Sequence, residues 1–465
     1  MNPPPDPRTI KTNAGWCWYQ DDRVIVDPDA RRVVFTTVAN FRGEDGDRRD
    51  GDIEISSFDP ATGEVVSAVL AKLLTKDLSR VHGHGDDHNA AALWQRPDGR
   101  YLAVYTGHNY GMGNHGTDTS PDTFYRVSTS PHDASEWQDE RIFTWPSNDP
   151  VGDGRHIVTY SNLLHLSAEG GEKGRLYNIA RASGSVWQIA TSDDWGETWT
   201  YRGILSLPPE GGRKYSNGYM KFTGNGVDRI DFITTEAHPR NFNNGIYHGY
   251  IKGGKTHDAA GRVVDEDTFS QTGPVPEALT TIFEPQAVGP DSYHHAWTID
   301  LDRGDNGELY ALYQTRFGTG RAPVHQAFAQ EGNADHRLFF ARFDGSQWHS
   351  VELARMGHGL WDNEDDYTGL GVLDPADGQS VYVSTPIDPR TGGELAHYEI
   401  FLGRAQHDHA IWTWTPVTMD SGCDQLRPQL ALLDPEHAIL LWLRGSYDSQ
   451  HAYDQRVVAK VVERM

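Results

Sequence analysis

Two histidines, His88 and His108, stand where side chains could do acid–base chemistry. His88 ends the run HGHGDDH (82–88) and leads into AAALWQ; His108 closes the next segment, in YTGHNYG (105–111). Two short strands joined by a turn would put them at like ends of neighbouring elements, converging on one pocket. Imidazole is the side chain most easily poised for proton transfer near neutral pH. His82 and His84, beside Asp86, Asp87 and His88, could instead serve a metal, although alternating Gly and His is as readily a polar loop.

Further candidates follow along the chain. Tyr160 and Asn162 lie in HIVTYSNLLHL, an alternating strand in which a tyrosine is more often half-buried core than functional. Arg181 ends RLYNIARASG. Its guanidinium fork is shaped to clamp a carboxylate, against the plain reading of a surface strand-end cation. Arg175 competes for that role from the other end of the same strand. Tyr219 falls in NGYMKF. His238 and His248 fall in TTEAHPRNFNNGIYHGY, which is polar enough to hold a metal or sugar, although histidines packed against backbone partners are the commoner case.

The elements that must position these residues are strands. A turn rich in Asp, Gly or Asn followed by a β-branched or aromatic run occurs seven times: at 29–38, 97–107, 172–182, 225–235, 305–315, 376–386 and 435–445. The mean spacing is about 68 residues. Each copy reads as a hairpin feeding a half-buried strand. Repeated units that cannot bury their own faces are the signature of a propeller. The expected fold is all-β, a seven-bladed β-propeller of four-stranded antiparallel blades. It occupies 1–465 as one domain, after a short disordered segment of about residues 1–12. SDDWGETWTY (192–201) is an Asp-box, Ser-x-Asp-x-Gly-x-Thr-Trp, a structural hairpin motif that leaves Asp194 little catalytic role. No segment carries a convincing helical stripe; KLLTKDL (72–78) could make one short turn.

Composition agrees and narrows the partners. The 14 Trp, 20 Tyr and 16 Phe among 465 residues supply a sizeable core, and 48 Gly and 25 Pro supply turns. A net charge of −25 argues against nucleic acid or an anionic membrane as the main partner. It leaves room for a small anionic substrate in a local Arg/His pocket. No apolar run is long enough to span a membrane. Cys17 and Cys423 could pair or remain free, and two cysteines cannot build a Cys-rich zinc cluster. The start, MNPPPDPRTIK, shows no signal peptide, so either a cytoplasmic protein or a mature form with an added Met is expected.

Several of these stretches carry a resemblance: GWCWYQDDR (15–23), DDHNAAALWQRPDGRYLAVYTGH (86–108), the Tyr-Ser-Asn strand with RLYNIAR, the HPRN and YHGY passage, YHHAWTIDLD (293–302), and DQLRPQLALL with LLWLRGSY (424–447). The chain resembles the BNR-4 family of seven-bladed propellers over nearly its whole length. Within that family it is similar to polysaccharide lyases acting on rhamnose–uronate linkages, the ulvan lyases and the L-rhamnose-α-1,4-D-glucuronate lyases. The resemblance implies catalytic roles for His88, His108, Tyr160 and Arg181, and substrate contacts at Asn89, Asn162, Tyr219 and Arg175. Where relatives carry Arg-Pro-Tyr, this chain has Asn217, Gly218 and Tyr219. Some members hold a structural zinc, with His238 where one ligand is expected; a structural zinc or calcium ion is therefore a candidate here, with His248 in the same polar passage as a further candidate ligand. The expected partner is an anionic uronate-containing polysaccharide, acted on by a monomer, and a secreted or periplasmic location if the chain is a mature form.

The reaction so implied is β-elimination. A base removes the uronate C5 proton, a cation neutralises the carboxylate, and an acid assists departure of O4, without a redox cofactor. Arg181 fits the neutralising role. Tyr160 and His88 fit proton transfer, with His108 supporting, and Arg181 with an imidazolium is expected to lower the tyrosine pKa. A glycoside hydrolase of α-L-rhamnosidase type and a non-catalytic carbohydrate-binding propeller are the alternatives on the same fold.

Overall fold

Seven antiparallel sheets surround one axis in the computed structural model, which is described here over residues 7–72, 85–108, 119–152, 154, 156–209, 218–240, 242–318, 335–361, 366–375 and 377–464. Six blades open on the innermost strands Val24–Asp27, Ala92–Gln95, Thr159–Leu166, Met220–Gly224, Tyr293–Arg303 and Gly371–Leu373, and the seventh on Asp424–Leu432. Each of these strands packs against the next, and the first against the last, so the ring is closed. The seven sequence repeats are the seven hairpins between the first and second strands of the blades. Six blades have four strands. The fourth is enlarged, with Val263–Asp265 extending its outer edge and Thr280–Phe283 pairing beside its third strand, Ile246–Lys252.

The seventh blade takes its outermost strand from the other end of the chain. Arg8–Thr12 pairs with Ala452–Glu463, with Arg8 opposite Ala459, and Ile10 is buried there. This corrects the expectation of disorder up to about residue 12. An unpaired outer edge is costly, and five residues with one buried apolar side chain are enough to cover it. So short a strand in a polar, proline-rich setting leaves no periodic signal.

The chain then turns inward and fills the axis. Asn13 to Gln20 are all buried. Trp16 Nε1 donates to the carbonyl of Arg427 (3.2 Å), Lys221 Nζ to the carbonyl of Gln20 (2.6 Å), and Arg23 Nη2 to the carbonyl of Ser161 (2.7 Å). The Trp18 ring lies 5.5 Å from Trp297 and 4.5 Å from Tyr367. One segment therefore touches the third, fourth, fifth and seventh blades, and its aromatic rings join the central hydrophobic cluster.

The Asp-box is the hairpin between Val186–Ser192 and Thr200–Ser206. Asp194 accepts from the Thr198 N–H (2.9 Å) and hydroxyl (2.6 Å), and the Gly196 N–H donates to Ser192 Oγ (2.7 Å). The single α-helix among the described residues is one turn, Gly46–Arg49. Of KLLTKDL only Lys72 is described; the rest lies outside the described residues.

Candidate active site

The second blade builds the histidine pair by strand register. Ala92 faces Val104 and Gln95 faces Tyr101; continuing that register toward the blade's end puts His88 opposite His108. The rings stack at 4.1 Å with an interplanar angle of 7°. Asp86 links them: its Oδ1 lies 2.6 Å from His88 Nδ1 and its Oδ2 2.7 Å from His108 Nδ1. The same carboxylate accepts the His88 N–H (3.1 Å), capping the 3-10 turn Asp87–Asn89. Asn89 Oδ1 accepts the His108 N–H (2.7 Å), so Asn89 places the second histidine.

The two imidazoles are in different charge states. Burial opposes a charge on His88, but the surrounding Cys17, Asp86, Tyr160 and Tyr367, in that order, outweigh it and push His88 well above the usual histidine range. His108 is pushed down to about 4 by burial and by the positive charges of His88 and Arg181, against the pull of Asp86. Of the two rings, His88 is the one that favours a charge and His108 the one that resists it. Behind His88, Asp87 lies 2.7 Å from Nδ1 and accepts from Arg427 Nη1 (2.5 Å) and the Tyr447 hydroxyl (3.1 Å).

The third blade supplies the tyrosine and the arginine. Thr159 pairs with Arg181, and a bulge follows before Asn162 pairs with Ile179. Tyr160 sits in the bulge in the left-handed region, φ 60°. A non-glycine residue held there costs about 1–3 kcal/mol, and bulges re-aim side chains. Tyr160 is buried, with its ring 5.8 Å from His88 and 5.9 Å from His108. The Arg181 guanidinium lies 4.5 Å from the Tyr160 ring and 5.2 Å from the Tyr219 ring, and its Nη2 is 3.5 Å from the Tyr160 hydroxyl. Burial drives the Tyr160 phenol well above its ordinary value; Arg181 and His88 pull the other way and lose. The expectation of a lowered tyrosine pKa is therefore reversed, because the ring is removed from water. Tyr219 reaches the group from the edge of the fourth blade. Its neighbour Gly218 has no room for a side chain, since a Cβ would lie 1.7 Å from the carbonyl of Thr235.

His88, His108, Tyr160, Arg181 and Tyr219 thus come together. Other candidates lie elsewhere or do other work. Arg175, at the turn end of its strand, binds Asp193 through Nε (2.7 Å) and Nη2 (3.0 Å). Asn162 accepts the Asp21 N–H (2.9 Å) and donates to the carbonyls of Tyr160 and Ile179, bracing the bulge and the axial segment. His238 packs against the Tyr219 and Trp297 rings, and its Nδ1 accepts the Arg240 N–H (3.2 Å). His248 is fully buried within the fourth blade, bonded to Asp231 Oδ1 (3.0 Å) and Trp348 Nε1 (3.3 Å). The two histidines have different partners. Among the described residues, the groups able to surround an ion are Cys17–Asp87–His88, Asp86–His88–His108 and Asp27–Asp29–His132, none containing His238 or His248. His82 and His84 lie outside the described residues. Cys17 and Cys423 are both free, Cys17 buried and Cys423 partly exposed.

Three neighbours, Tyr19, Tyr367 and Arg427, had no assigned role from sequence. Tyr19 stacks on His88 (5.0 Å) and on Trp297 (4.9 Å), and approaches Tyr219 (4.7 Å). The Tyr367 hydroxyl is 3.4 Å from His88 Nε2. Arg427 and His295 occupy left-handed bulges in the innermost strands of the seventh and fifth blades, as Tyr160 does in the third. No local pattern marks a bulge of this kind; Tyr19 could have been suspected from the aromatic density of GWCWYQ.

No protein-family model matches the chain, and no curated protein matches it. Solved structures match in fold. A polysaccharide lyase family 25 ulvan lyase aligns over 99% of this chain and 98% of its own, at 13% identity and a TM-score of 0.65. A structure of that lyase family described as bound to -[GlcA(1-4)Rha3S]- aligns over 97% and 87%, at 14% and 0.56. The polysaccharide lyase Uly1 aligns over 98% of both chains, at 12% and 0.56.

Proposed function

We propose that this chain is a polysaccharide lyase that cleaves the bond to a uronic acid by β-elimination, with rhamnose–uronate glycans such as ulvan as its substrate class. The observation that carries the reading is the convergence of a neutral imidazole (His108), a protonated phenol (Tyr160) and a guanidinium (Arg181) at one end of the second and third blades. The fold likeness to ulvan lyases, one described with a glucuronate–rhamnose ligand, supports the same class.

Each group has a place in the reaction. The Arg181 guanidinium pairs with the uronate carboxylate, helped by the His88 imidazolium, and stabilises the charge that spreads onto it when C5 is deprotonated. His108 takes the C5 proton. Its low pKa in the free protein rises when an anionic uronate enters beside it. The electrons of the C5–H bond form the C4=C5 double bond, and the C4–O4 bond breaks. The Tyr160 hydroxyl, kept protonated by burial, gives its proton to O4. The products are a free hydroxyl on one sugar and a 4,5-unsaturated uronate on the other. Arg181 and His88 make a local cationic patch that opposes the net charge of −25.

The test is ultraviolet absorbance of the new double bond, with mass spectrometry of the products, on ulvan, rhamnose-capped arabinogalactan and gellan-like substrates. The wild type should generate an absorbing product on at least one of them, and His108→Ala and Tyr160→Phe should each abolish it. Sugar release without an absorbing product would replace elimination by hydrolysis. Full activity in either variant would remove that residue from the chemistry.

A further inference from the structure

The geometry points to Asp86 as a positioning residue that holds both imidazole rings of this site in nearly one orientation, each with Nδ1–H toward its carboxylate, and so fixes the tautomer of the neutral one. The inference rests on the elimination reading for its catalytic meaning only; the positioning itself stands on contacts.

Asp86 is 2% exposed, and each of its oxygens faces a different ring: Oδ1 faces His88 Nδ1 and Oδ2 faces His108 Nδ1. A carboxylate only accepts, so both rings must present Nδ1–H: His108 to Asp86, and His88 to Asp86 with Asp87 Oδ1 sharing the same proton at 2.7 Å. In neutral His108 that leaves the lone pair on Nε2, which makes Nε2 the atom able to take a proton. In the charged ring Nε2–H remains a donor, and Tyr367 stands 3.4 Å away. The stack at 4.1 Å follows from one carboxylate serving two parallel rings, since the spacing of its oxygens limits how far apart they can sit.

The loop that carries Asp86 is itself anchored. The Gly85 N–H donates to Asp50 Oδ1 (2.8 Å) in the first blade, and the Asp87 N–H donates to the carbonyl of Gln450 (3.1 Å) in the seventh. The Asp86 carboxylate is therefore fixed from three blades, as a group that orients others must be. His108 and His88, outweighing burial, hold it well below the ordinary carboxylate range, so it stays charged. The charged and titratable groups facing this trio are Cys17 and Tyr19 from the axial segment, Asp87 from the same turn, Tyr160 and Arg181 from the third blade, Tyr367 before the sixth, and Arg427, Tyr447, His451 and Tyr453 from the seventh. Asp86 alone among them lies within 3 Å of both rings.

The experiment is Asp86→Asn, with Asp86→Glu as its control, read two ways. The first is nitrogen-15 NMR of the imidazoles in the full chain without substrate, followed against pH. The wild type should show Nδ1–H on both rings, with His88 charged and His108 neutral at pH 7. In Asp86→Asn the His88 titration should move down by at least one pH unit and the fixed tautomer of His108 should be lost. The second is kinetics: kcat should fall by roughly 10²- to 10⁴-fold, the scale seen when an orienting carboxylate becomes an amide, while KM changes less than about threefold. Asp86→Glu keeps the charge and should recover part of both signals. Unchanged tautomers and titrations in Asp86→Asn overturn the inference. So does an Asp86→Glu protein as impaired as the amide in both readouts, which would mark Asp86 as a folding residue. If the wild type eliminates no uronate, the NMR result still decides the positioning, and only the proposed function falls.

Discussion

Arg181 lies against two phenol rings, with its guanidinium at one end of the third blade and the whole side chain 5% exposed. A planar fork in that slot can pair with a carboxylate through two parallel hydrogen bonds, whereas a lysine offers only a point charge. Arg181→Lys should therefore lose roughly 10²- to 10³-fold in turnover with little change in the urea midpoint; unaltered turnover would move the clamp to another cation. The histidines make a second prediction, about stability. His108 has a folded pKa of about 4 against an ordinary 6.5, so between these values the unfolded chain binds a proton that the folded chain does not. Its contribution is fully present above about pH 6.5 and is lost as the pH falls toward 4, on the order of 3 kcal/mol in total. His88 is raised and works in the opposite sense: its contribution is full below about pH 6.5 and is lost as the pH rises toward its folded value. Denaturant unfolding of His108→Gln from pH 4 to 7 should show a shallower acid-side loss than the wild type. An identical slope would mean that His108 is not held neutral.

At the scale of the element, hairpins turn sequence spacing into adjacency. That is why His88 with His108 could be paired from spacing, whereas Tyr160 with Arg181 rested on the family resemblance; each pair brackets one antiparallel hairpin whose turn is visible as Asp-Gly or Lys-Gly. The bulges are different. Tyr160, His295 and Arg427 are single residues in the left-handed region, and two of them meet the axial segment, Tyr160 at Tyr19 and Arg427 at Trp16, through contacts that no local sequence preference encodes. The Asp-box shows an element whose motif is strong and whose role is structural. Asp194→Ala removes three acceptor contacts from one hairpin, to the Ser192 hydroxyl and to the N–H and hydroxyl of Thr198, so it should cost about 1–3 kcal/mol in unfolding free energy and leave the proposed elimination rate unchanged. A loss of rate without a loss of stability would give Asp194 a part in the chemistry.

At the scale of the molecule, the ring is closed twice, by Arg8–Thr12 completing the seventh blade and by Arg427 tying that blade to the second through Asp87. The Arg427–Asp87 pair is 2% exposed or less on both sides, and removing the arginine strands a buried carboxylate behind His88. Arg427→Ala should destabilise the fold by roughly 3–5 kcal/mol, measured by urea unfolding, and a smaller effect than 1 kcal/mol would show that the closure does not depend on this pair. The sequence by itself determined the all-β class, the seven-fold repeat, the structural Asp-box and the pairing of the two histidines, because strand period and turn chemistry are local and legible in a single chain; Tyr160 and Arg181 were singled out by the family resemblance. Only the tertiary structure decided that the N-terminal strand closes the seventh blade, that Trp16 to Arg23 fill the axis, and that Asp86 joins the two histidines. It alone decided the direction of the pKa shifts too, up for Tyr160 and His88 and down for His108. Those outcomes depend on burial and on partners as distant in sequence as Arg427 and Asp87, and no local pattern carries either.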